Sequence, residues 1–482
     1  MASRRDQFQS YQFSVRRVIS SLVLHETDPA QPPLRRMSGA TFGGVMIAVL
    51  VLAVAGVIGV VKPSSTTTWQ DGGKVIVVKE TGARYVWLAD QKTGKHYLYP
   101  VTNFASGVLL ANSTSTIYVT AKDILDVPRG PLLGLHDAPD VIPPTDHLLG
   151  APWTLCSLPA QTISGETIPN TALVVGRART SGTPVGQSAF LLDNIEQTDS
   201  RHEYSLVWHG HAYPIPDPAP VLEGLTLHGQ PQIKVGAAWI SALPAGKPLA
   251  VAKVAGRGQR STLVRGGVVG EVMVVQSAGS SQYYLLGQKH IQAITQVQAE
   301  ITLADPGVQK TAYGGRRPKA VSLSAAQANS VPQQGLPAPD PTDPPATKPP
   351  MASVNSDQST VCASFDNAGL VPDVAVQAAV EGAALAPATQ QRTQNGTVLA
   401  NQVVVEPGWG SVVESMSSPT ATSGSLFVVT DEGRRYGIAS DDALQALGYS
   451  SVAPIQMPAS LVARIPAGDA LDPLGAQQQA VS

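Results

Sequence analysis

Residues 426–468 read LFVVTDEGRRYGIASDDALQALGYSSVAPIQMPASLVARIPAG, and this stretch decides how most of the chain folds. Two apolar runs enclose a polar turn at Gly433, a pattern typical of a β-hairpin. Ser440 then precedes a short apolar helix, a further strand ends at Met457, and Pro466 stops a second short helix. The order of these segments predicts a small ββαβα unit.

The same pattern occurs four times in the 482 residues, which indicates an internal repeat. The hairpins lie at 85–101, 204–215, 283–294 and 426–438. Their turn glycines are Gly94, Gly210, Gly287 and Gly433, and their helix caps are Asn103, Asp217, Thr295 and Ser440. After the last strand come an alanine (Ala121, Ala237, Ala325, Ala459), a proline (Pro128, Pro244, Pro332, Pro466) and a glycine (Gly130, Gly246, Gly335, Gly468). We expect the alanine to be small because its helix packs close to the preceding strand.

The copies are not in tandem, and the segments between them have the apolar character of strands. We therefore predict an α+β protein with an N-terminal transmembrane helix and an exported β-rich core that carries four small ββαβα-like repeat units. The predicted parts are a cytoplasmic N-terminus (1–38), a transmembrane helix (39–61), repeat 1 (62–138), core segment a (139–199), repeat 2 (200–251), core segment b (252–280), repeat 3 (281–335), a proline-rich linker (336–350), core segment c (351–420), repeat 4 (421–470) and a C-terminal tail (471–482). The three core segments are expected to pair with one another.

One apolar run predicts a membrane anchor. Residues 42–61 read FGGVMIAVLVLAVAGVIGVV, 20 residues without a charge, and at ~1.5 Å per residue they would span ~30 Å. The preceding 38 residues have a net charge of +3, which favours a cytoplasmic N-terminus and an exported C-terminal part. A cleaved signal peptide is the alternative, with a cleavage site at Ala53-Val54-Ala55.

The N-terminal segment predicts a short basic amphipathic helix. Tyr11, Val15, Val18 and Leu22 follow helical spacing, and Phe13 is taken to widen this stripe. Arg16 and Arg17 lie off that stripe and make the helix basic. Two interpretations stay open, a helix that lies on the inner leaflet and a helix that docks to a cytoplasmic or membrane partner. Our predicted docking residues are Tyr11, Phe13, Val15, Arg16, Arg17, Val18 and Leu22.

Composition and cysteine count exclude several classes. The net charge of −2 gives no support to a nucleic-acid binder, and hydrophobic residues at 43% are enough for a core. Two cysteines exclude a disulfide-dense scaffold, a four-cysteine zinc site and an iron–sulfur protein. In an exported domain Cys156 and Cys362 are expected to pair, closing a loop of about 207 residues, and two unrelated buried thiols are the alternative.

Motifs for catalysis are weak. No Gly-x-x-x-x-Gly-Lys-Ser/Thr phosphate loop is present, and Gly94-Lys95-His96 and Gly246-Lys247-Pro248 lie at predicted turns. His209-Gly210-His211 has the residue types of a metal site but lies on a predicted hairpin, which favours an exposed turn. For Trp409, between Gly408 and Gly410, a packed indole and a partner contact both remain open.

Several stretches together resemble the EccB component of type VII (ESX) secretion systems of mycobacteria and related actinobacteria. The matching residues are 9–13 with Arg16-Arg17, then 33–36, 82–86, 100–106, 128–130, Ala138-Pro139, and Trp153 with Cys156. Leu135-His136-Asp137 departs from the smaller, Gly-rich stretch expected there. The resemblance covers essentially the whole chain.

This resemblance implies a single-pass protein of the inner membrane with a periplasmic body and a disulfide at Cys156–Cys362. It implies partners of the EccC motor ATPase, EccD and EccE types, contacts between copies of the chain, and no nucleic acid. Members are also labelled ATPases, so ATP is a cofactor by family label only and enzymatic activity stays uncertain. The function favoured is a structural subunit that scaffolds a secretion complex. An ATP-hydrolysing subunit and a peptidoglycan-binding module are the alternatives.

Overall fold

The computed structural model describes residues 3–23, 25, 35–61, 68–90, 92–195, 202–277, 279–354, 360–366, 369, 371–383 and 386–480. The chain forms two compact units, Met1–Asp71 and Gly72–Ser482. The first unit contains two long helices and a 3-10 turn at Thr68–Asp71. Among the residues whose structure is described, no helix combines the length and the hydropathy that a membrane crossing requires.

Eleven helices and 23 strands are formed by the described residues. The helices are α1 (Arg4–Val23), α2 (Arg35–Val61), α3 (Phe104–Ala111), α4 (Pro218–Gly224), α5 (Ala237–Ile240), α6 (Gln296–Ala304), α7 (Pro306–Thr311), α8 (Ala325–Asn329), α9 (Asp441–Ala446), α10 (Ala459–Val462) and α11 (Pro473–Ala476). The strands up to residue 235 are β1 (Val75–Val78), β2 (Arg84–Ala89), β3 (His96–Pro100), β4 (Thr116–Val119), β5 (Trp153–Gln161), β6 (Thr167–Val174), β7 (Thr183–Pro184), β8 (Ala189–Ile195), β9 (His202–Trp208), β10 (His211–Ile215) and β11 (Gln232–Val235). The remaining strands are β12 (Val272–Ser277), β13 (Ser280–Leu286), β14 (Ile291–Ile294), β15 (Val321–Leu323), β16 (Gln333–Gln334), β17 (Val361–Phe365), β18 (Asp373–Val376), β19 (Gln402–Val404), β20 (Ser411–Met416), β21 (Ser425–Val429), β22 (Arg435–Gly437) and β23 (Ile455–Pro458).

Each repeat forms its own small sheet with one topology. In repeat 1 the strand order is β3-β2-β1-β4, and repeats 2 and 4 have the corresponding orders β10-β9-β8-β11 and β22-β21-β20-β23. Repeat 3 has the order β15-β12-β13-β14-β16. In all four the predicted hairpin pairs antiparallel, and the last strand returns parallel to a first strand that comes before the hairpin.

That first strand corrects the ββαβα prediction, because each repeat has three strands before its helix. The additional strands are β1, β8, β12 and β20, and three of them come from residues predicted to belong to core segments a, b and c. Sequence periodicity cannot distinguish these assignments, because an apolar strand looks the same whichever sheet it joins.

Core segments a and c build the central sheet, and segment b does not contribute to it. The central order is β19-β6-β5-β17-β18-β7, with every strand taken from 139–199 or 351–420. In segment b, β12 belongs to the sheet of repeat 3. The expectation that all three segments pair with one another is therefore wrong for residues 252–280.

A disulfide joins the two halves of the central sheet. Cys156 on β5 and Cys362 on β17 are directly opposite each other in the antiparallel register. Their sulfur atoms are bonded and both residues are fully buried. The expected pairing is therefore present, between residues separated by 206 positions.

Three hydrophobic clusters arrange the repeats around this sheet. One cluster packs Trp153 and Phe365 of the central sheet against side chains of repeats 2 and 4. A second joins repeats 1 and 4, including Val108 of α3 and Ala443 of α9. The third joins repeats 2 and 3, where α4 packs against α6. The bodies are thus in contact in the order repeat 3, repeat 2, central sheet, repeat 4 and repeat 1.

Local sequence signals place the short helices. The side chains of Asn103, Thr295 and Ser440 accept hydrogen bonds from the first turns of α3, α6 and α9, as predicted for caps, whereas Asp217 makes no such bond. The recurrent alanine is the first residue of the last short helix in repeats 2, 3 and 4, where Ala237, Ala325 and Ala459 begin α5, α8 and α10, and Ala121 begins a 3-10 turn (Ala121–Ile124) in repeat 1. The recurrent proline follows the end of that helix each time.

The packing role predicted for the alanine is wrong. Ala121 and Ala325 are exposed, and Ala237 and Ala459 are only half-buried. As the first residue of a helix, the alanine does not face the core. The residue three positions later lies on the inner face instead, and Ile124, Ala328 and Val462 are buried there.

The proline and glycine close each repeat. The carbonyl oxygen of the recurrent proline accepts a backbone hydrogen bond from the third strand in all four copies, at 2.9, 3.0, 2.9 and 2.9 Å. The next residue pairs parallel with that strand. In three repeats the glycine then lies against a tyrosine ring, and a Cβ would be 2.2 to 2.3 Å from the ring of Tyr99, Tyr213 or Tyr436. In repeat 3 the corresponding strand residue is Gln292, and the space beside Gly335 is open.

We predict that Gly246→Ala destabilises the protein and that Gly335→Ala does not. At Gly246 the added methyl would overlap the ring of Tyr213, which is 1% exposed and has no room to move. Overpacking of this kind costs about 1–3 kcal/mol. Gly335 has no heavy atom within 4 Å of an added Cβ, which makes it the matched control. Thermal unfolding of the two variants checks the difference, and equal melting temperatures would contradict the closing role of the glycine.

We also predict that replacing both Cys156 and Cys362 by alanine lowers the free energy of unfolding by about 2–5 kcal/mol, because the bond closes a loop across 206 positions. Denaturant unfolding of the double variant against the oxidised wild type measures this. Peptide mapping without reductant provides the control for the bond itself, and two thiols open to alkylation in the native protein would contradict it.

Candidate functional site

The N-terminal helix α1 presents an apolar stripe to its surroundings. Tyr11, Val15, Val18 and Leu22 are all exposed on it, with Leu22 at 73%. The predicted helix is therefore present, and four of the predicted docking residues share one side of it at 100° per residue. Exposed apolar side chains at this spacing form a surface suited to another helix or to a lipid interface.

Two phenylalanines change the predicted outline of this stripe. The helical spacing places Phe13 on the opposite side of α1, so it does not widen the stripe. Phe8, which is 61% exposed, extends the stripe by one turn toward the N-terminus. The sequence contained the signal for Phe8, because it precedes Tyr11 by three residues. Arg16 and Arg17 lie on the same helix.

The predicted metal candidate is a hairpin turn. His209 and Gly210 both have positive φ, 46° and 69°, as a two-residue hairpin loop requires. The Nε2 of His209 lies 2.9 Å from the side-chain oxygen of Gln187, and Nδ1 of His211 lies 3.0 Å from the carbonyl of His209. The two rings therefore have separate partners. Within the described ranges, no group of three His, Cys, Asp or Glu side chains could hold a metal ion.

The two Gly-Lys pairs occupy structural positions. Gly94, at φ 67°, belongs to the hairpin turn between β2 and β3, where Asp90 accepts hydrogen bonds from the backbone of Lys92 and Thr93. The hydroxyl of Thr93 also donates to Asp90. This bond has the largest effect, and together with the backbone bonds it lowers the pKa of Asp90. Neither pair lies at the start of a helix after a strand, which is the setting that a phosphate loop needs.

Lys247 holds the proline-rich linker against repeat 2. Its Nζ lies 2.6 Å from Asp343 and 3.9 Å from Asp340, and its backbone N–H donates to the carbonyl of Thr342 at 2.8 Å. The hydrogen bond to Asp343 raises the pKa of Lys247 and lowers that of Asp343. The linker is thus fixed to the body at this point.

The junction of repeats 1 and 4 uses the segment that departs from the family pattern. Asp137 accepts two hydrogen bonds from the guanidinium of Arg434, each 2.5 Å long, and this pairing raises the pKa of Arg434. The backbone N–H of Asp137 donates to Oδ2 of Asp469 at 2.8 Å. The backbone N–H of Asp469 donates in return to the carbonyl of Asp137, also at 2.8 Å. Tyr449 donates its hydroxyl to the carbonyl of Pro143 at 2.6 Å. These contacts fasten the two repeats together.

Trp409 is half-buried beside this junction. Its ring packs on His147 with centroids 4.8 Å apart, and Gly410 leaves no room for a side chain because Pro143 lies against it. This favours the packed-indole interpretation of Trp409.

A cavity of about 450 Å³ opens in repeat 1 between the strand face and the C-terminal residues. Its lining includes Tyr99, Leu133, Gln477 and Gln479, together with Asp90, which is engaged in the turn. The C-terminal residues pair with Leu133, so this segment is part of the repeat's closing strand. The titratable residues of the lining are Asp90, Lys92 and Tyr99.

Comparisons with known proteins agree on one family. A family model described as type VII secretion system ESX-1, transport TM domain B, matches residues 1–481. The chain is 27% identical to the ESX-2 secretion system ATPase EccB2 of Mycobacterium tuberculosis, over 97% of this chain and 93% of that protein. It is also 27% identical to the ESX-3 secretion system ATPase EccB3 of Mycolicibacterium smegmatis, over 97% of this chain and 89% of the relative.

Solved structures share the fold. The structure described as the EccB3 dimer from the ESX-3 core complex matches with a TM-score of 0.56 and 25% identity, over 84% of this chain and 99% of that one. A chain of an intact ESX-5 inner membrane complex matches with a TM-score of 0.58 and 22% identity, over 100% of this chain and 96% of that one.

Proposed function

The chain belongs to the EccB family of type VII secretion proteins, and from this premise we propose that it is a structural membrane subunit that scaffolds the assembly of such a secretion complex. One observation carries the proposal: an exposed apolar stripe on α1 is joined, through an apolar segment, to a large body built from repeats. Such a chain is suited to connect partners on the two sides of a membrane. The solved relatives are described as a dimer and as part of an inner membrane complex, which supports the same role.

We place the body in the periplasm and the N-terminus in the cytoplasm, with α2 as a single-pass anchor in the inner membrane. Residues 42–61 are apolar without interruption, and α2 has 27 residues, which corresponds to ~40 Å. Phe42, Ile47 and Leu52 are each more than 60% exposed. The net charge of +3 before the segment supports this orientation.

The partners that we propose are subunits of the EccC motor ATPase, EccD and EccE types, together with other copies of the chain. Stripe residues Tyr11, Val15, Val18 and Leu22 are proposed to dock to the cytoplasmic or membrane part of that assembly, with Arg16 and Arg17 on the flanks of the same helix. A stripe of this kind fits a groove between partner helices.

ATP hydrolysis is a second candidate because the relatives that are 27% identical to this chain are named as ATPases. Lys247, the more constrained of the two Gly-Lys lysines, is engaged with Asp343. Turnover of ATP by the purified full chain, lost on changing one lysine or acid, would support this candidate. Turnover that follows a co-purified motor subunit instead would assign the activity to that partner.

We predict that Val18→Glu with Leu22→Glu prevents the chain from entering the complex, because two charges would interrupt the apolar stripe. Gln9→Glu with Ser10→Glu is the matched control, since it adds the same charge away from the stripe. Extraction in mild detergent, followed by affinity purification and native mass spectrometry, measures co-purification with the motor ATPase. Equal complex yield for both variants would place the docking surface elsewhere. A wild-type chain found only as a monomer would contradict the scaffold function itself.

We predict that a cysteine introduced at Ser417 is labelled by a membrane-impermeant maleimide on intact spheroplasts, whereas one introduced at Ser10 is not. Ser417 is exposed on the body and Ser10 is exposed on α1, so access to the reagent differs only by side of the membrane. Lysed cells provide the control, in which both positions should react. Labelling of both positions, or of neither, in intact spheroplasts would contradict the single-pass orientation.

A further inference from the structure

Charge is distributed unevenly along the body. Residues 252–335, which form repeat 3 and the segment before it, contain nine Lys and Arg but only three Asp and Glu, a net charge of +6. The rest of the body, residues 72–251 and 336–482, has 17 Lys and Arg against 28 Asp and Glu, a net charge of −11. A chain with a total charge of −2 therefore concentrates positive charge in one repeat.

The acids of repeat 3 do not neutralise its cations. Glu271 accepts the backbone N–H of Val268 at 2.9 Å and is only 6% exposed. Glu300 accepts from the side chain of Gln296, and Asp305 caps α7. Eight of the nine Lys and Arg side chains are exposed, and none of these eight forms an ion pair with any described residue.

Contacts between neighbouring residues bring the chain positions of several of these cations close together. The side chain of Gln288, next to Lys289, donates to Gln259, next to Arg260, at 2.5 Å. Gly258, two residues before Arg260, lies close to Thr311, which follows Lys310: a Cβ added to Gly258 would be 3.2 Å from the carbonyl oxygen of Thr311. Gln309 on α7 bonds the carbonyl of Gly315, which precedes Arg316 and Arg317. We call this group, Arg260, Lys289, Lys310, Arg316 and Arg317, the basic surface of repeat 3.

We propose that the basic surface of repeat 3 is the contact through which one copy of this chain meets an acidic surface on repeat 4 of a second copy. The inference rests on the proposed scaffold function and names the partner surface within it. Repeat 4, residues 421–470, has five Asp and Glu against three Arg and no Lys, a net charge of −2, whereas repeat 1 (62–138) has a net charge of +2 and repeat 2 (200–251) a net charge of zero. Two of these carboxylates, Asp441 and Asp442, are exposed, and their side chains form no ion pair or hydrogen bond with the part of the chain that the structure describes.

Charge also selects the geometry of the contact. Two basic surfaces of repeat 3 placed face to face would bring +6 against +6, so a two-fold contact of this surface with itself is unfavourable. A contact with a different patch avoids this repulsion, and such a contact is heterologous. Opposite charges of this kind steer association and weaken as salt screens them.

The test measures self-association of the full chain in mild detergent, by analytical ultracentrifugation at low and at high salt. The variant Lys310→Glu, Arg316→Glu, Arg317→Glu reverses three charges of the basic surface of repeat 3. Lys92→Glu, Lys95→Glu, Lys122→Glu makes the same charge change at exposed sites of repeat 1 and is the matched control. We expect the first variant to raise the Kd for self-association by at least about tenfold and the control to leave it near wild type. Equal melting temperatures verify that both variants are folded.

If the Kd of the basic-surface variant is no higher than the Kd of the control, the proposal is overturned. So would a wild-type Kd that does not rise with salt. Loss of binding to vesicles of anionic phospholipid, with self-association unchanged, would overturn it in favour of a membrane contact. The variant Asp441→Lys, Asp442→Lys should also have a raised Kd for self-association. If its Kd equals that of the wild type, repeat 4 is not the acceptor surface and the proposal is overturned.

This test and the test of the proposed function fail separately. If the basic-surface variant self-associates normally and also co-purifies with the motor ATPase, only the proposed contact between copies is overturned. A wild-type chain that never enters the secretion complex would sink the scaffold function, whatever its own Kd.

Discussion

The antiparallel pairing of β5 with β17 is the constraint on which the rest of the body depends. It sets Cys156 directly opposite Cys362 and closes the chain across 206 positions. Repeats 2 and 3 lie inside that loop, and repeats 1 and 4 lie outside it. The face of the sheet that carries Trp153 and Phe365 packs against repeats 2 and 4, and these two in turn pack against repeats 3 and 1. Repeats 2 and 4 also meet directly, where the Ser460 hydroxyl donates to the carbonyl of Ala242 at 2.9 Å.

Each repeat is completed by one recurring device. A proline lies shortly beyond the helical turn that begins at the recurrent alanine, its carbonyl oxygen accepts a hydrogen bond from the third strand, and the following residue pairs parallel with that strand. The glycine beyond it is needed where a buried tyrosine occupies that strand, as Tyr213 does beside Gly246, and repeat 3 lacks both the ring and the crowding. Burial raises the pKa of Tyr213 to about 12, in keeping with its close packing.

Polar side chains in the described part of the chain are used to hold the fold together and are not assembled into a catalytic site. Asp137 fastens repeat 1 to repeat 4 through Arg434, Lys247 holds the linker through Asp343, and Asp305 caps a helix. The apolar stripe on α1 is exposed, and the exposed cations of repeat 3 form no ion pair with any residue that the structure describes. Both are surfaces, which is what a scaffold needs in order to contact its neighbours.

The sequence by itself determined the repeats, the short helices, the cysteine pairing and the family, because these rest on local spacing, on composition and on turn chemistry. Tertiary structure decided where the apolar strands went. Val272–Ser277 joined repeat 3 and not the core, since periodicity records that a strand is buried but not which sheet buries it. It also decided that Ala237 is half-buried while Gly246 lies against a tyrosine ring, because contact between residues distant in sequence leaves no local signal. The basic surface of repeat 3 depends on sequence and fold together. Its charge can be counted in the sequence, whereas the proximity of residues 260, 289, 310 and 316 comes from contacts between their neighbours in the fold.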